Sequence, residues 1–436
     1  MSEQKFASKW GFVLACVGSA VGMANVWGFP YKLGSNGGFA FLVPYFIFIV
    51  LFAYVGLSAE YAVGRRARTG TVGAYDMAWR TGKNSGGGVI GWLPLAGSLC
   101  ISIGYAVIIS YVLKALLAAI TGELMTVEPG PWFESFALHD FSVIPLHVII
   151  VVLALLTLIL GAESIEKTNK IMMPIFFVLF VIMAIRVALL PGAMEGYKFL
   201  FKPNWTALAD PTVWITAMGQ AFFSLSVTGS GMIVYGAYLP DHEDIVDGAK
   251  WTAIFDTIAA MVAALVMIPA VFAYQMDPAA GPGLLFVTLP TILQEMPLGR
   301  LFAIILFLAV LFGGISSIQN MFEVVVESIL HKFPKLKRNA VIIGLGILCF
   351  GVGVFMEAIT KWGPWMDIVS IYIIPLGATL GAISWFWVMK KEDLLDEVNK
   401  GAAKKQGDTW YNIGKFVYVP LAVILCVIAL VTKTAF

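Results

Sequence analysis

The sequence predicts an all-α integral membrane protein with eleven transmembrane helices. Ten of them form a 5+5 inverted repeat with discontinuous helices one and six, and the eleventh is an addition. Three observations predict this. The 436 residues are 59% hydrophobic and only 13% charged, whereas soluble domains carry about 25% charged residues. Apolar runs of about 20 residues, long enough to cross a bilayer, recur along the chain. Two of those runs, five apart, are interrupted by small and polar residues.

The eleven apolar segments lie at 10–33, 38–63, 89–121, 143–161, 168–190, 212–239, 246–274, 299–330, 339–356, 364–389 and 415–433. Several exceed the minimum span, so those helices are expected to be tilted, broken or extended beyond the bilayer. Segment one holds Gly18-Ser-Ala-Val-Gly-Met-Ala-Asn-Val-Trp-Gly-Phe-Pro30, with glycines, an Asn amide and a Pro at membrane depth. Segment two ends in Arg65, Arg66 and Arg68, with Arg80 and Lys83 beyond. The loop after segment three carries Glu123, Glu128, Glu134 and Asp140. Segment six repeats the interruption in Gly219-Gln-Ala-Phe-Phe-Ser-Leu-Ser-Val-Thr-Gly-Ser-Gly231. Lys332, Lys335, Lys337 and Arg338 follow segment eight, and Lys390, Lys391, Lys400, Lys404 and Lys405 follow segment ten. Cations thus crowd alternate loops. The positive-inside rule places the N-terminus in the cytoplasm and, with eleven spans, the C-terminus outside.

Because five is odd, two five-helix halves have opposite topology. Interrupted segments at matching positions of the halves are the best sequence pointer to a midplane binding site in a secondary transporter. The chain therefore reads as one transporter domain over 1–436, with repeats at 10–190 and 212–389 and the extra helix at 415–433. No cleavable signal peptide is expected. The net charge of +1 says nothing about nucleic acid, but no basic block is interleaved with aromatics, and no nucleic-acid partner is expected. Cys16, Cys100, Cys349 and Cys426 sit in apolar segments without metal spacing and read as packing residues. No nucleophile–base pair or catalytic domain suggests an enzyme, and no organic cofactor is expected.

A helix broken inside the bilayer frees backbone carbonyls, tolerated only where protein or a water-filled cavity satisfies them. A sodium ion needs about five or six hard oxygens, by extension from calcium and magnesium. Segment one can offer carbonyls near Gly18, Ala20 and Val21 and the Asn25 amide oxygen. Segment six offers the Ser224 hydroxyl. Segment seven places Asp256 well inside its apolar run, where a carboxylate is costly and a functional candidate by default. Segment eight carries the adjacent hydroxyls Ser316 and Ser317, which packing between small residues would also explain.

These residues resemble the neurotransmitter:sodium symporter family, especially its bacterial amino-acid transporters. The likeness is carried by Gly18 to Pro30, Asn36-Gly-Gly38 with Pro44-Tyr45, Ile165 to Pro174, Pro191 to Gly196, Gly219 to Ser226 and Pro375-Leu-Gly377. It implies two sodium ions. The first would be held by Ala20, Asn25, Ser224 and Asp256, with the substrate carboxylate. The second would be held by Gly18, Val21, Gly313, Ser316 and Ser317. It implies a substrate pocket at Ala20, Gly22, Ala24, Ile101, Tyr105, Phe223, Ser224, Ser226, Gly229, Ser317 and Met321, with Tyr105 and Phe223 closing over it. Gly22 stands where monoamine-carrying relatives have an Asp, which favours an amino acid that brings its own carboxylate. Gly229 replaces a larger residue and implies room for a bulky side chain; Thr228, Ser230 and Gln319 add polar groups that could reverse that reading.

Of the five groups that hold chloride in dependent relatives, Tyr45, Gln220 and Ser224 match, while Asp256 and Ala260 do not. A fixed carboxylate there predicts chloride independence. The gates depart from the family. Gly28 replaces the outer-gate Arg, leaving Asp367 as its candidate acid, and at the inner gate His331 replaces an Asp, with Lys5 near the usual Arg. The expected function is sodium-coupled import of a neutral, hydrophobic or aromatic amino acid across the cell inner membrane by alternating access. The rival readings are a proton-coupled amino-acid or amine carrier using Asp256, and a non-transporting sensor on the same scaffold.

Overall fold

The computed structural model describes residues 5–276 and 283–434, and every regular element among them is a helix. Segment one is two helices, Lys9–Ala20 and Ala24–Ser35, bent by 57° at the break. Segments two and three are Phe39–Ala67 and Gly87–Thr121. Segment six is Pro211–Ser224 and Gly231–Ala237, parted by the non-helical residues 225–230. Segments seven to eleven are Ile245–Ala273, Gly299–Lys332, Arg338–Met356, Ile359–Val388 and Asp408–Thr432. By length and composition eight of the described helices can cross a membrane, and segment one makes nine as a bent pair. The halves of segment six and the 13-residue helix of segment four, Ile144–Leu156, fall short of that test.

Segment five begins at Ala162, not at 168 as expected. The first turns are charged, and the Glu163–Lys167 pair at 2.6 Å sits four residues apart, the spacing that supports an exposed helix. Hydropathy does not register such a turn. Four amphipathic helices, Thr71–Thr81, Pro129–Ala137, Ala193–Phe201 and Lys391–Asn399, and the short apolar helix Leu284–Glu295 lie outside the expected segments. The helix Lys391–Asn399 is docked by segment two. Arg65, fully buried, donates to Glu397 Oε1 at 2.6 Å and to the carbonyls of Glu243, Glu397 and Lys400 at 2.6–2.8 Å.

Segments three and eight form the core. In their most apolar stretches 83% and 72% of residues are buried, against 33% for segments five and nine, which therefore face lipid. The breaks of segments one and six lie against segments three and eight, so the freed backbone meets protein rather than hydrocarbon.

Candidate functional site

In a continuous helix the amides of Gly22, Met23 and Ala24 would bond to the carbonyls of Gly18, Ser19 and Ala20. Here Val21 turns to extended backbone (φ −78°, ψ 106°). The Gly22 amide instead donates to Asn25 Oδ1 at 3.2 Å, and the Tyr105 hydroxyl sits beside the Met23 and Ala24 amides. Three carbonyls thereby lose their helical partners. Gly22 permits this packing, since a Cβ there would lie 2.5 Å from Ser317 Oγ and 3.3 Å from the Tyr105 hydroxyl.

Two of these, Gly18 O and Ser19 O, gather with Val21 O at segment eight. Ser317 Oγ lies 3.5 Å from Gly18 O, 3.4 Å from Ser19 O, 3.3 Å from Val21 O and 3.0 Å from Gly313 O. Ser316 Oγ donates to Gly313 O at 2.9 Å. Gly18 O and Val21 O thus share the one Ser317 proton with Gly313 O, and Ser19 O has the Ser226 hydroxyl as a further donor at 3.5 Å. Such an oxygen-rich, proton-poor cluster suits a hard monovalent cation.

A second cluster lies across the break. Asn25 Nδ2 donates to Asp256 Oδ1 at 2.7 Å, to the Asp256 carbonyl at 3.1 Å and to Ser224 Oγ at 3.2 Å. Ser224 Oγ lies 2.8 and 3.0 Å from the two Asp256 carboxylate oxygens. Asn25, Ser224 and Asp256 are all fully buried. Asn25 was expected to present its amide oxygen to an ion, but that oxygen faces the Gly22 amide and the NH₂ faces the carboxylate. Ala20 enters none of these bonds and lines the neighbouring cavity.

Two cavities meet at this point. The inner one, about 40 Å³, is lined by Ala20, Ala24, Ile101, Tyr105, Phe223, Ser226 and Met321 of the expected residues. The outer one, about 250 Å³, is lined by Trp27, Gly28, Lys32, Gln220, Trp362 and Met366, and by the same Ala24, Tyr105 and Phe223. Tyr105 and Phe223 therefore stand on the boundary between the two. Across the outer cavity Trp27 stacks on Trp362 of segment ten (6.4 Å, 22°), and Trp362 Nε1 donates to Gly104 O at 2.8 Å. Lys32 Nζ donates to Gln220 Oε1 at 2.9 Å. Asp367, the expected outer-gate acid, is exposed and does not line either cavity.

Gly229 requires a correction. Its φ is +75°, its amide donates to buried Glu60 at 2.7 Å, and a Cβ would meet Gly377 O at 2.5 Å. Its glycine serves the backbone turn, not the width of the pocket. Gln319 also points elsewhere, bonded to Asn169, Thr157 and Thr168. The wall residues the sequence reading missed are Ser19, Ser98, Gly231, Asn320 and Ile374. Ser98 announces itself only through its 2.7 Å bond to Ser230, and Asn320 through donation to Gly231 O at 3.2 Å. At the inner end, around Lys5 and His331, further groups hold the chain. Phe6 packs on Phe12, Tyr235 and Tyr238, Ala7 N donates to Glu166 at 2.6 Å, and Lys9 pairs with Asp247 at 2.5 Å.

Residues 3–135 and 133–435 match the profile described as the Sodium:neurotransmitter symporter family. YhdH of Bacillus subtilis, an uncharacterized sodium-dependent transporter, is 34% identical over 461 residues, with 100% of both chains covered. An uncharacterized sodium-dependent transporter of Methanocaldococcus jannaschii is 30% identical over 435 residues, 94% of this chain and 87% of its own. A crystal structure of MhsT in complex with L-phenylalanine superposes with a TM-score of 0.87 at 32% identity, over 98% of this chain and 99% of that one.

Proposed function

The chain belongs to the sodium:neurotransmitter symporter family, and from that premise we infer that it is a sodium-coupled symporter of a hydrophobic or aromatic amino acid, working by alternating access. The family gives the coupling ion, and the likeness to MhsT with its bound L-phenylalanine gives the substrate class. The observation that carries the reading is the break of segment one, where Val21 is extended and the Gly22 amide turns to Asn25. It frees carbonyls for a cation on one side. On the other it leaves the Met23 and Ala24 amides, with the Tyr105 hydroxyl, at the start of the helix Ala24–Ser35, where a carboxylate is favoured.

Two sodium ions travel with the substrate. One uses Gly18, Val21, Gly313, Ser316 and Ser317, and Ser19 adds a carbonyl beside them. The other uses Ala20, Asn25, Ser224 and Asp256 with the substrate carboxylate, after the Asn25 amide turns its oxygen inward. Sodium at the Ser317 cluster holds segment one against segment eight and favours the outward-facing form. Substrate then lets Tyr105 and Phe223 close, and segments one, two, six and seven rock together to open the inside. Eleven spans in a 5+5 inverted repeat, with a cytoplasmic N-terminus and an external C-terminus, are the frame for this motion. The paired breaks five segments apart and the cation-rich alternate loops support it.

The energy is sufficient. One charge is worth about 2.3 kcal/mol per 100 mV, and a tenfold gradient adds roughly 1.4 kcal/mol per ion. Two ions at such values supply about 7 kcal/mol, enough for roughly a 10⁵-fold accumulation of a neutral solute. Uptake of labelled L-phenylalanine, leucine and tryptophan into proteoliposomes with an inward sodium gradient tests the function. Saturable accumulation that vanishes without sodium, and in Asp256→Ala, is expected. Equal uptake driven by a pH gradient in sodium-free buffer would establish the proton-coupled carrier instead, and binding without accumulation would establish a sensor.

A further inference from the structure

A large groove, about 860 Å³, lies away from the transport site between segments two and seven. Its walls are Phe46 and Val50 on one side and Ile254 and Ile258 on the other. Phe46, Val50 and Ile258 are 39%, 68% and 41% exposed, so the groove opens laterally into the bilayer. One end is polar, with Lys250 and Lys404 at its edge. The carboxylates at that end are already engaged. Asp247 pairs with Lys9 at 2.5 Å, and Asp244 accepts from the Asp247 and Ala403 amides at 3.0 and 2.9 Å. Lys250 lies over the Trp251 ring, and neither it nor Lys404 has an acidic partner among the described residues.

The dimensions fit the chemistry. From Lys250 to Ile258, and from Tyr54 to Phe46, each wall runs eight residues, about 12 Å at helical rise. One leaflet of the hydrocarbon core is about 15 Å deep. The groove therefore runs from a cationic mouth at the membrane surface most of the way to the midplane. We propose that it binds one anionic glycerophospholipid, its phosphate between Lys250 and Lys404 and an acyl chain along Val50, Ile254 and Ile258. Charge complementarity selects the headgroup, since juxtamembrane lysines attract anionic lipid, and the lateral opening selects a membrane lipid over a soluble phosphate. The bound chain lies on the face of segment seven that carries Ala253 and Thr257, adjoining Asp256, and next to Asp247, which ties segment seven to segment one. Lipid is thereby placed to steady the helix that carries the ion-binding carboxylate. The proposal rests on membrane insertion and not on the identity of the coupling ion or the substrate.

The test uses delipidated full-length protein and native mass spectrometry, with phosphatidylglycerol and phosphatidylcholine of matched acyl chains. One phosphatidylglycerol molecule is expected to bind at least fivefold more tightly than phosphatidylcholine. Lys250→Gln with Lys404→Gln is expected to erase that preference, and Val50→Trp, which fills the groove from its exposed side, to weaken both lipids. Equal binding of the two lipids in the unmodified protein, or a preference that survives the lysine pair, overturns the headgroup assignment. Undiminished binding in Val50→Trp shows adsorption at the surface only and overturns the groove.

Discussion

At the scale of single residues, the two oxygen clusters proposed for the ions differ in how much of them the sequence could disclose. Asp256, Ser224 and Asn25 are polar side chains inside apolar segments, and burial without a partner would be costly. They had to find one another, and they do, within 2.7–3.2 Å. Carbonyl donors carry no residue signature, so the part played by Ser19 was invisible in the sequence. The geometry also separates two hydroxyls that looked equivalent. Ser317 Oγ reaches carbonyls of both segments one and eight, whereas Ser316 Oγ bonds within segment eight alone. Losing a hydrogen-bonding group to a charge costs about 1.5–3 kcal/mol, which is roughly a tenfold or greater change in affinity. Ser317→Ala is therefore expected to raise the sodium concentration for half-maximal uptake about tenfold, and Ser316→Ala by less. An equal rise in both variants, in a sodium titration of uptake, would contradict the bridging role of Ser317. Gly229 gives the opposite lesson. A missing side chain looked like room for substrate, but its φ of +75° and the carbonyl 2.5 Å from where a Cβ would sit show a backbone requirement. Strain of this kind costs of order 1–3 kcal/mol. Gly229→Ala should lower the melting temperature of the purified protein while leaving its order of preference among amino acids unchanged. A changed order with full stability would restore Gly229 to the pocket wall.

At the scale of elements, hydropathy found what the membrane demands and missed what protein contacts allow. Long apolar helices were legible because lipid imposes their length. The start of segment five was not, since its Glu163–Lys167 turn is polar yet helical. The helix Lys391–Asn399 was not, because Arg65 holds it through long-range bonds that no local pattern announces. The outer gate belongs to this scale too. Gly28 stands where the family's cation is expected, and the Trp27–Trp362 stack links segments one and ten, with the Trp362 indole fixed to segment three through Gly104. An aromatic pair is worth about 0.5–1.5 kcal/mol beyond its buried area. This stack can therefore bias opening several-fold without locking it. Trp362→Ala is expected to increase outward opening and weaken apparent substrate affinity by a few-fold. The measurement is labelling of an introduced Ile108→Cys, which lines the outer cavity, by a membrane-impermeant maleimide. Unchanged labelling in the presence of substrate would remove the stack from the gate.

At the scale of the whole molecule, the question is how the charge that travels with the substrate is balanced. On the proposed stoichiometry, a zwitterionic amino acid with two sodium ions would bring two positive charges into a buried site, and charge in such a place must be paired. Where chloride-dependent relatives would hold a diffusible anion, the proposal gives this chain a fixed one. Asp256 sits 2.8 Å from Ser224, and Ala260, fully buried one turn along the same helix, offers no hydroxyl to an anion. Gln220, the remaining amide of that region, is committed on both sides. Its oxygen accepts from Lys32 at 2.9 Å and its nitrogen donates to the Ala24 carbonyl at 2.9 Å. A chloride beside Ser224 would meet the Asp256 carboxylate at hydrogen-bonding range, a repulsion of roughly 4 kcal/mol at 4 Å in a medium of effective dielectric 20. Uptake with gluconate in place of chloride is thus expected to match uptake in chloride. Removing the fixed charge should reverse the requirement. Asp256→Asn paired with Ala260→Ser supplies neutral anion ligands, and whatever sodium-driven uptake it retains should rise with chloride. Loss of most uptake by the unmodified protein in gluconate would show that Asp256 does not stand in for the anion.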